Sequence, residues 1–443
     1  MPNELPPRVL YENATIIDGE GGKPYEGTIG VEGTQISFAQ PGRVAAWDGA
    51  ARVDLSGYFA TPGFIDCHVH LTCPWDPTMH EPYWKIATPP PSKALTAMAN
   101  ANRSLAAGFT TLRNCGGMTW NAPEDVAVRN AVAERMLIGA RIWACAGGVS
   151  MTGGHGDRAF PAYLPFDPGV GFGVIPTDGA DGCRRAVRER IKFGADFIKI
   201  YSTGGVSTPG DGPHSQDFTE EELRAIMDEA HTHDKRVATH AQGLAGIRKA
   251  VLAGVDTVEH GSFLDRPTAE EMARRGTMLV TTLRVFSEIL KRAANYPNPE
   301  AIRKAAMVHD AHRSGLALAK QHGIRIAMGT DASQSIRNGD NALEMEELAR
   351  SGFTTMEVIQ MATKNGALAL GLESEIGTIA GGKRADFLVI GKNPLVDMSA
   401  LVDRGNIRCV VQAGAAKVLR DAAGGEAQSH AFSPEAIARA LDA

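Results

Sequence analysis

Short apolar runs alternate with longer amphipathic segments through the middle of the chain. Each apolar run is flanked by turn-forming residues and is the length of a buried strand, whereas the segments between them have helical periodicity. Eight strands are predicted in this region, at residues 64–70, 110–114, 141–146, 197–201, 236–240, 257–260, 277–283 and 325–331.

Helix signals lie between these predicted strands. Segment 94–107 ends at Gly108, as a helix C-terminus commonly does. Three Thr-x-x-Glu capping signals predict helix starts, at Thr219, Thr268 and Thr354. Eight strand-then-helix units in series predict an α/β fold, specifically a (β/α)8 TIM barrel.

The pattern of hydrophobic and polar residues at the two ends of the chain differs from that in the middle. Residues 8–59 read as short strands separated by glycine-containing turns, and strand patterns return after about residue 375. Neither end has enough apolar surface to stand alone, so we expect them to pack together as one small composite β-sandwich domain. The predicted division is residues 1–61 and 373–443 for that domain and its tail, with the barrel at 62–372. A short helix capped by Ser433 is expected in the tail.

Composition narrows the class of partner. The 443 residues carry a net charge of −6, which gives no electrostatic footprint for nucleic acid or an anionic membrane. A small-molecule partner is therefore favoured. The chain start has neither a basic nor an apolar leader segment, no run is long enough to span a bilayer, and the six cysteines form no C-x-x-C pair. A cytoplasmic location without disulfides is expected.

Residues able to bind metal recur at the carboxyl ends of the predicted strands. In a barrel of this kind the working side chains sit at those ends. His68 and His70 are two residues apart, so both project from one face of the first strand and can share one ion. The complete set comprises His68, His70, Lys199, His240, His260 and Asp331.

Lys199 allows two interpretations. It follows two apolar residues in a predicted strand, where an unpaired charged amine is unfavourable. It could form a structural ion pair, with Asp196 or Glu259. It could instead be a neutral amine that has taken up CO2 to form a carbamate, an anionic group able to bridge two cations.

These six positions resemble the amidohydrolase superfamily, in its binuclear branch with a carboxylated lysine. The intervals from Lys199 to His240, His260 and Asp331 are similar to those of prolidase-like dipeptidases, metallocarboxypeptidases and ochratoxin hydrolases, as is the glycine-rich run at residues 147–157. Asn114 departs from the pattern, since these relatives usually carry aspartate there, and this puts the loop geometry in question.

The resemblance implies a specific ligand set. One metal is held by His68, His70 and Asp331, the second by His240 and His260, and N6-carboxylated Lys199 bridges them. Two divalent ions are implied, with zinc expected and cobalt or manganese also compatible with mixed nitrogen and oxygen ligands. A metal-bridging hydroxide would attack the substrate, with Asp331 as proton shuttle. The resemblance also implies a homo-oligomer.

Four further residues are candidates for substrate contacts. His155 or Tyr201 could stabilise the anion formed during attack, although His155 could equally hydrogen bond to its own glycine-rich loop. Arg284 and Arg337 lie just beyond the last two predicted strands and could receive a substrate carboxylate, or be solvated loop charges. Side-chain preference should depend on loops 71–93, 147–182 and 202–218.

The leading hypothesis is a metal-dependent hydrolase of an amide bond, in a dipeptide or an N-acyl amino acid, including ochratoxin-type amides. The alternative keeps the chemistry but changes the substrate to a carbamate, thiocarbamate or urea group of a small xenobiotic. A mononuclear deaminase would have no use for Lys199 as a bridge. A non-catalytic barrel scaffold would require neither Asp331 nor a carbamate.

Overall fold

The computed structural model describes residues 8–76, 88–116, 123–157, 174–208, 210–296, 298–421 and 423–442. The strands are β1 (Arg8–Ile16), β2 (Tyr25–Glu32), β3 (Gln35–Pro41), β4 (Ala51–Asp54), β5 (Phe59–Pro62), β6 (Phe64–Val69), β7 (Phe109–Asn114), β8 (Arg141–Ala144), β9 (Gly148–Ser150), β10 (Val174–Pro176), β11 (Ile198–Tyr201), β12 (Val237–Ala241), β13 (Thr257–His260), β14 (Met278–Val280), β15 (Ile326–Ala327), β16 (Phe387–Ile390), β17 (Ile407–Gln412), β18 (Ala415–Arg420) and β19 (Glu426–Gln428). The α-helices of these residues are α1 (Pro90–Ala106), α2 (Glu124–Ala133), α3 (Ala180–Lys192), α4 (Glu220–Thr232), α5 (Leu244–Ala253), α6 (Arg266–Arg275), α7 (Leu283–Lys291), α8 (Pro299–Gln321), α9 (Ala342–Arg350), α10 (Thr355–Met361), α11 (Lys364–Leu370) and α12 (Pro434–Asp442).

Two parallel sheets form the centre of an α/β fold. One has the order β10-β9-β11-β12-β13-β14-β15 and the other the order β6-β7-β8. Backbone hydrogen bonds join them at two places: Asp196 N, just before β11, donates to the carbonyl of Ala144 at the end of β8, and Asp331 N, after β15, donates to the carbonyl of His68 in β6. Each of the eight strands predicted for this region overlaps a strand of the structure, and these strands pair in parallel within each of the two sheets. The structure adds β9, which lies inside the predicted glycine-rich loop and pairs with β11.

Strands from both chain ends share a third sheet. Its order is β19-β18-β17-β16-β5-β1-β2-β3, with β4 paired to β1. The β5–β16 pair joins the two ends directly. One hydrophobic cluster draws on both segments, with the Tyr11 and Phe387 rings in edge contact at 5.0 Å. The predicted tail helix is observed as α12.

Of the three helix starts predicted from capping signals, two are confirmed and one is wrong. The capping boxes at Thr219 and Thr354 are confirmed, since each threonine accepts from the backbone of the glutamate three residues on, and that glutamate accepts in return. The start predicted at Thr268 is wrong. Helix α6 begins at Arg266, because Asp265 accepts from Thr268 N and so caps the helix ahead of the threonine.

Strand β14 is shorter than the sequence predicted. It ends at Val280 instead of Leu283, where α7 begins. The buried Glu344 carboxylate accepts from the backbone N–H groups of Leu283 and Arg284 and so satisfies two donors of the first helical turn. Within the described residues, no helix is both long and apolar enough to cross a membrane.

Candidate metal centre

The six predicted ligand residues surround one cavity. His68 lies near the end of β6 and His70 just beyond it. Lys199, His240 and His260 lie in β11, β12 and β13, and Asp331 follows β15. All six line the same pocket at the carboxyl edge of the parallel strands. The register explains the convergence, because β11, β12 and β13 are consecutive neighbours and Asp331 is hydrogen bonded to the β6 backbone.

Two of the six predicted ligand residues have backbone conformations that few non-glycine residues adopt. His260 has φ of 70° and Asp331 has φ of 57°. Such left-handed conformations persist only where the surrounding structure holds them, and they cluster at functional sites. In β13 the turn at His260 brings its ring within 4.6 Å of His240 and 5.1 Å of His68, measured between ring centroids.

A buried acidic residue orients His68. Glu259 has no exposed surface, and its carboxylate accepts from His68 Nδ1 at 2.8 Å. The same carboxylate accepts from Arg113 Nη2 at 2.7 Å and from Thr257 Oγ1 at 2.6 Å. Because Glu259 binds Nδ1 of His68, the other ring nitrogen, Nε2, faces Asp331 Oδ1, 3.8 Å away. Burial raises the pKa of Glu259, but the charge of Arg113 and the hydrogen bond from His68 lower it to about 2.

The other imidazoles are oriented by neighbouring oxygens. His260 Nδ1 is hydrogen bonded to Thr282 Oγ1 at 2.6 Å, so its Nε2 lies on the far side of the ring. His240 Nε2 donates to the Gly204 carbonyl at 3.3 Å, which leaves Nδ1 on the other side. His70 Nε2 donates to Asp331 Oδ1 at 3.0 Å. His68, His260 and His240 therefore each have one nitrogen held by a residue outside the predicted ligand set, as orienting contacts do for metal-binding histidines, whereas His70 contacts another predicted ligand, Asp331.

The electrostatics of the pocket suit a cation. Burial lowers the pKa of His68 to about 4 and those of His240 and His260 well below the ordinary histidine value, so these rings are neutral, the form that binds metal. Burial raises the pKa of Asp331, but the hydrogen bond from His70 and the charges nearby hold it below its usual range. One potential ligand atom from each of His68, His260 and Asp331 lies within 4.8 Å of the others.

Lys199 is the unusual member of the set. Its side chain is completely buried, and Nζ has no hydrogen-bond partner among the residues the structure describes. Neither predicted ion pair forms, since Asp196 is paired with Arg129 at 2.8 Å and Glu259 with Arg113. A buried amine without a partner is strongly unfavourable unless a further group completes its surroundings. The donor set and this amine fit a pair of cations bridged by a carboxylated lysine.

The predicted substrate contacts divide into two pairs. His155 and Tyr201 line the pocket, with their ring centroids 5.8 Å apart. Arg284 and Arg337 are not among the described residues that line it. Arg284 is buried in the first turn of α7 and paired with Glu288 at 2.7 Å, so it is not the solvated loop charge of the other interpretation. Arg337 lies with its guanidinium carbon 5.8 Å from the centre of the Trp75 ring.

Both apolar and polar side chains line the cavity. The apolar ones include Val285, Phe286 and Ile289 from α7, and the polar ones include Ser333 and Gln334 after β15. Parts of the loops expected to set side-chain preference, residues 77–87, 158–173 and 209, lie outside the described residues.

Asn114 has a clear structural role. Its Oδ1 accepts from Leu71 N at 2.8 Å and its Nδ2 donates to Asp125 Oδ2 at 3.3 Å. Asn114 therefore ties the segment after β6 to α2, and the buried Asp125 supplies a carboxyl group at this point. The amide holds the loop in place without contributing a ligand.

Sequence reasoning missed the residues behind the site. Glu259 was considered only as a partner for Lys199, and Arg113, Thr282 and Asp211 were not singled out as contacts. Glu259 precedes a predicted ligand, and a buried acid at that position was the available signal. Asp211 lies in a loop, and no local pattern marked its 2.6 Å contact with His155 Nδ1.

Comparison with known proteins identifies the family of this chain. The amidohydrolase family model matches residues 59–417. Ochratoxinase from Aspergillus niger is 32% identical over 351 residues, covering 76% of this chain and 71% of that protein. The crystal structure of a prolidase complexed with N-methylphosphonate-L-proline superposes with a TM-score of 0.84 at 30% identity, covering 92% of this chain and 99% of the other.

A third similar protein is a Xaa-Pro dipeptidase, whose crystal structure has methionine bound in the active site. It is 30% identical, with a TM-score of 0.82 over 92% of this chain and 99% of that one. The family model spans most of the chain, and the names of these relatives describe hydrolytic enzymes. The chain therefore belongs to the amidohydrolase family, in the subgroup with ochratoxinase and the Xaa-Pro dipeptidases, and is a hydrolytic enzyme acting on C–N bonds.

Proposed function

We propose that this protein is a binuclear metal hydrolase that cleaves the amide bond of a C-terminal amino acid, in a dipeptide or an N-acyl amino acid. The observation that carries the proposal is Lys199, whose fully buried amine has no described hydrogen-bond partner in the middle of a ligand cluster. Reaction of the neutral amine with CO2 forms a carbamate and releases one proton. The carbamate would supply the site with anionic oxygen ligands, which a lysine held in a structural ion pair would not supply.

The proposed ligands fall into two groups. His68, His70 and Asp331 would hold one divalent ion, and His240 and His260 the other, with carboxylated Lys199 between them. Zinc is the expected metal, with cobalt and manganese also suited to these ligands. Family membership supports divalent metal binding in general, and the neutral, oriented imidazoles support this assignment.

Two such ions would supply a water of lowered pKa and polarise the scissile carbonyl. Asp331, whose pKa is held below its usual range by the hydrogen bond from His70 and by nearby charges, is suited to take the proton of the attacking water and pass it to the leaving amine. His155 and Tyr201 line the same cavity, and in this proposal they contact the oxygen of the scissile group as it gains charge. Each role belongs to a group whose position is already set by neighbouring contacts.

The relatives support the substrate class. One is named ochratoxinase, one is a prolidase with a proline phosphonate bound, and one is a Xaa-Pro dipeptidase with methionine in its active site. The apolar side chains of Val285, Phe286 and Ile289, which line the cavity, would suit a non-polar part of such a substrate.

We also propose that the two parallel sheets close into one (β/α)8 barrel. The backbone bonds from Asp196 to Ala144 and from Asp331 to His68 support closure at both seams. Residues 62–372 would then form the catalytic domain. The flanking segments 1–61 and 373–443 would form the composite β domain, supported by the shared nine-stranded sheet.

A substrate screen tests the assignment. Purified, metal-loaded protein is assayed with dipeptides and N-acyl amino acids beside aryl carbamates, thiocarbamates and phenylureas. We expect turnover in the first group and a preference for an apolar residue. Turnover confined to carbamates, thiocarbamates or ureas would overturn the substrate class while keeping the chemistry. No hydrolysis of any compound by protein with full metal content would contradict the proposed function as a whole.

A further inference from the structure

His155 is held on four sides by described residues. Its backbone N–H donates to Asp217 Oδ2 at 2.8 Å, and its carbonyl accepts from Thr208 Oγ1 at 3.2 Å. Its ring stacks on His240 with centroids 4.2 Å apart and planes inclined by 19°. Its Nδ1 lies 2.6 Å from Asp211 Oδ2. Rotation of the ring would break the stacking contact and the shortest of these hydrogen bonds.

Asp211 is itself fixed by a buried cation. Lys304 Nζ from α8 lies 3.3 Å from Asp211 Oδ1 and also donates to the Thr208 carbonyl at 2.7 Å. The Lys304 side chain is 2% exposed and that of Asp211 is 9% exposed, so water screens this pair little. Gly205 N donates to Asp211 Oδ2 at 3.1 Å. The carboxylate therefore has a counter-charge on one oxygen and two donors on the other.

The contact joins three separate segments of the chain. His155 follows β9, Asp211 follows β11, and Lys304 lies in a helix that begins 88 positions after Asp211. His155 also lies so close to Gly205 that a Cβ atom there would meet its Cε1 at 2.3 Å. A glycine at 205 allows the loop after β11 to pass under the ring, so both loops are packed to present His155 in one orientation.

The hydrogen bond determines which nitrogen faces away from Asp211. A carboxylate only accepts, so His155 Nδ1 carries the proton in this contact and Nε2 lies on the opposite side of the ring. His155 lines the cavity that contains the six ligand residues. Lys304 also pairs with Glu300 at 2.9 Å on its own helix, so its ammonium group links α8 to the Asp211 carboxylate and to the Thr208 carbonyl.

We propose that Asp211 and Lys304 are positioning residues that hold His155 with Nε2 toward the substrate, where it contacts the oxygen of the scissile group. This inference rests on the proposed function for the contact with substrate. The arrangement of the three side chains stands independently of it. Asp211 acts through His155, so its contribution requires His155 to be present.

The first test is a double-mutant cycle in the metal-loaded enzyme with an amide that the wild type cleaves. Asp211→Asn keeps the shape but removes the charge. We expect ~10–100-fold lower kcat with KM changed little, at unchanged metal content, as for other outer-shell partners. In a His155→Ala background the same change should have almost no further effect, because residues acting as one unit are non-additive.

The matched control is Asp310→Asn, which alters a similar aspartate–histidine contact with His309 at 2.9 Å on the surface of α8. It should leave both kinetic constants unchanged. The inference is overturned if Asp211→Asn lowers kcat as strongly without His155 as with it, or leaves kcat at the wild-type value.

The second test does not require activity. Histidine-selective 15N spectra of the full chain, with His155 assigned by loss of its signals in His155→Asn, report which ring nitrogen carries a proton. Protonated Nδ1 is expected in the wild type, whereas an unprotonated Nδ1 overturns the inference even if Asp211→Asn fails to fold. If the wild type hydrolyses no amide but His155 shows protonated Nδ1, the proposed function fails while the positioning contact stands.

Discussion

Replacing Glu259 by glutamine probes the buried network beneath the metal site. The change keeps the size of the side chain but removes the charge that faces Arg113 at 2.7 Å. It also replaces one carboxylate oxygen by an NH2 group, so a single acceptor oxygen can no longer serve both Arg113 on one side and His68 Nδ1, now bound at 2.8 Å, on the other. Arg113 would remain bonded to the Cys67 carbonyl and Thr257 Oγ1, yet it would lack a counter-charge in a buried position. We expect loss of stability and weaker metal binding together.

The lowered pKa of Glu259 and its contact with His68 give the expected size of the loss of stability and of the weaker metal binding. Lowering a glutamate pKa from its ordinary 4.5 to about 2 corresponds to about 3 kcal/mol of folded-state stability at neutral pH. Because the folded pKa is the lower one, this contribution is complete above pH 4.5 and is lost as the pH falls toward about 2. Loss of the orienting contact to His68 should weaken metal binding ~10–100-fold.

The assay is urea unfolding of the metal-free protein, followed by metal titration against a competing chelator. Glu220→Gln is the matched control, since its pair with Arg224 at 3.0 Å is more than half exposed on both sides and should contribute under ~1 kcal/mol. If Glu259→Gln is as stable as Glu220→Gln and binds metal like the wild type, the orienting role assigned to Glu259 is refuted.

Three further substitutions test individual ligands and contacts. Lys199→Ala should lose most bound metal and activity, with partial recovery on adding short carboxylates and metal, and unchanged metal content would contradict the bridge. Asp331→Asn should abolish turnover while circular dichroism shows a retained fold, whereas a substantial residual rate would remove it as proton shuttle. Thr282→Val deletes the hydroxyl bonded to His260 Nδ1, and should weaken metal binding ~10-fold at near-normal stability; wild-type affinity would show that His260 does not depend on that contact.

The strand-end residues could be predicted from the sequence because their pattern is local. An apolar run predicts a strand, and a parallel series predicts that its carboxyl ends meet, which brings His68, Lys199 and His240 together. His260 and Asp331 reach the same cavity through left-handed backbone conformations. Sequence patterns do not predict such conformations at non-glycine positions with any regularity.

The contacts that orient the ligands depend on distant residues, so no local pattern could reveal them. His68 and Glu259 are 191 positions apart and His155 and Asp211 are 56 apart. The prediction for Arg284 was wrong because a distant residue changed the local structure. It was expected in a loop after a strand ending at residue 283, but the Glu344 carboxylate caps α7 from Leu283 onward and places Arg284 inside a helix.

The most direct test of the central claim is the number of divalent ions bound per chain. Protein expressed with added zinc, exchanged into metal-free buffer and analysed by mass spectrometry of its metal content, should retain two ions per chain. Bicarbonate during reconstitution should favour that stoichiometry, because CO2 is needed to carboxylate Lys199. A wild-type protein that saturates at one ion or none, while folded, would contradict the binuclear site.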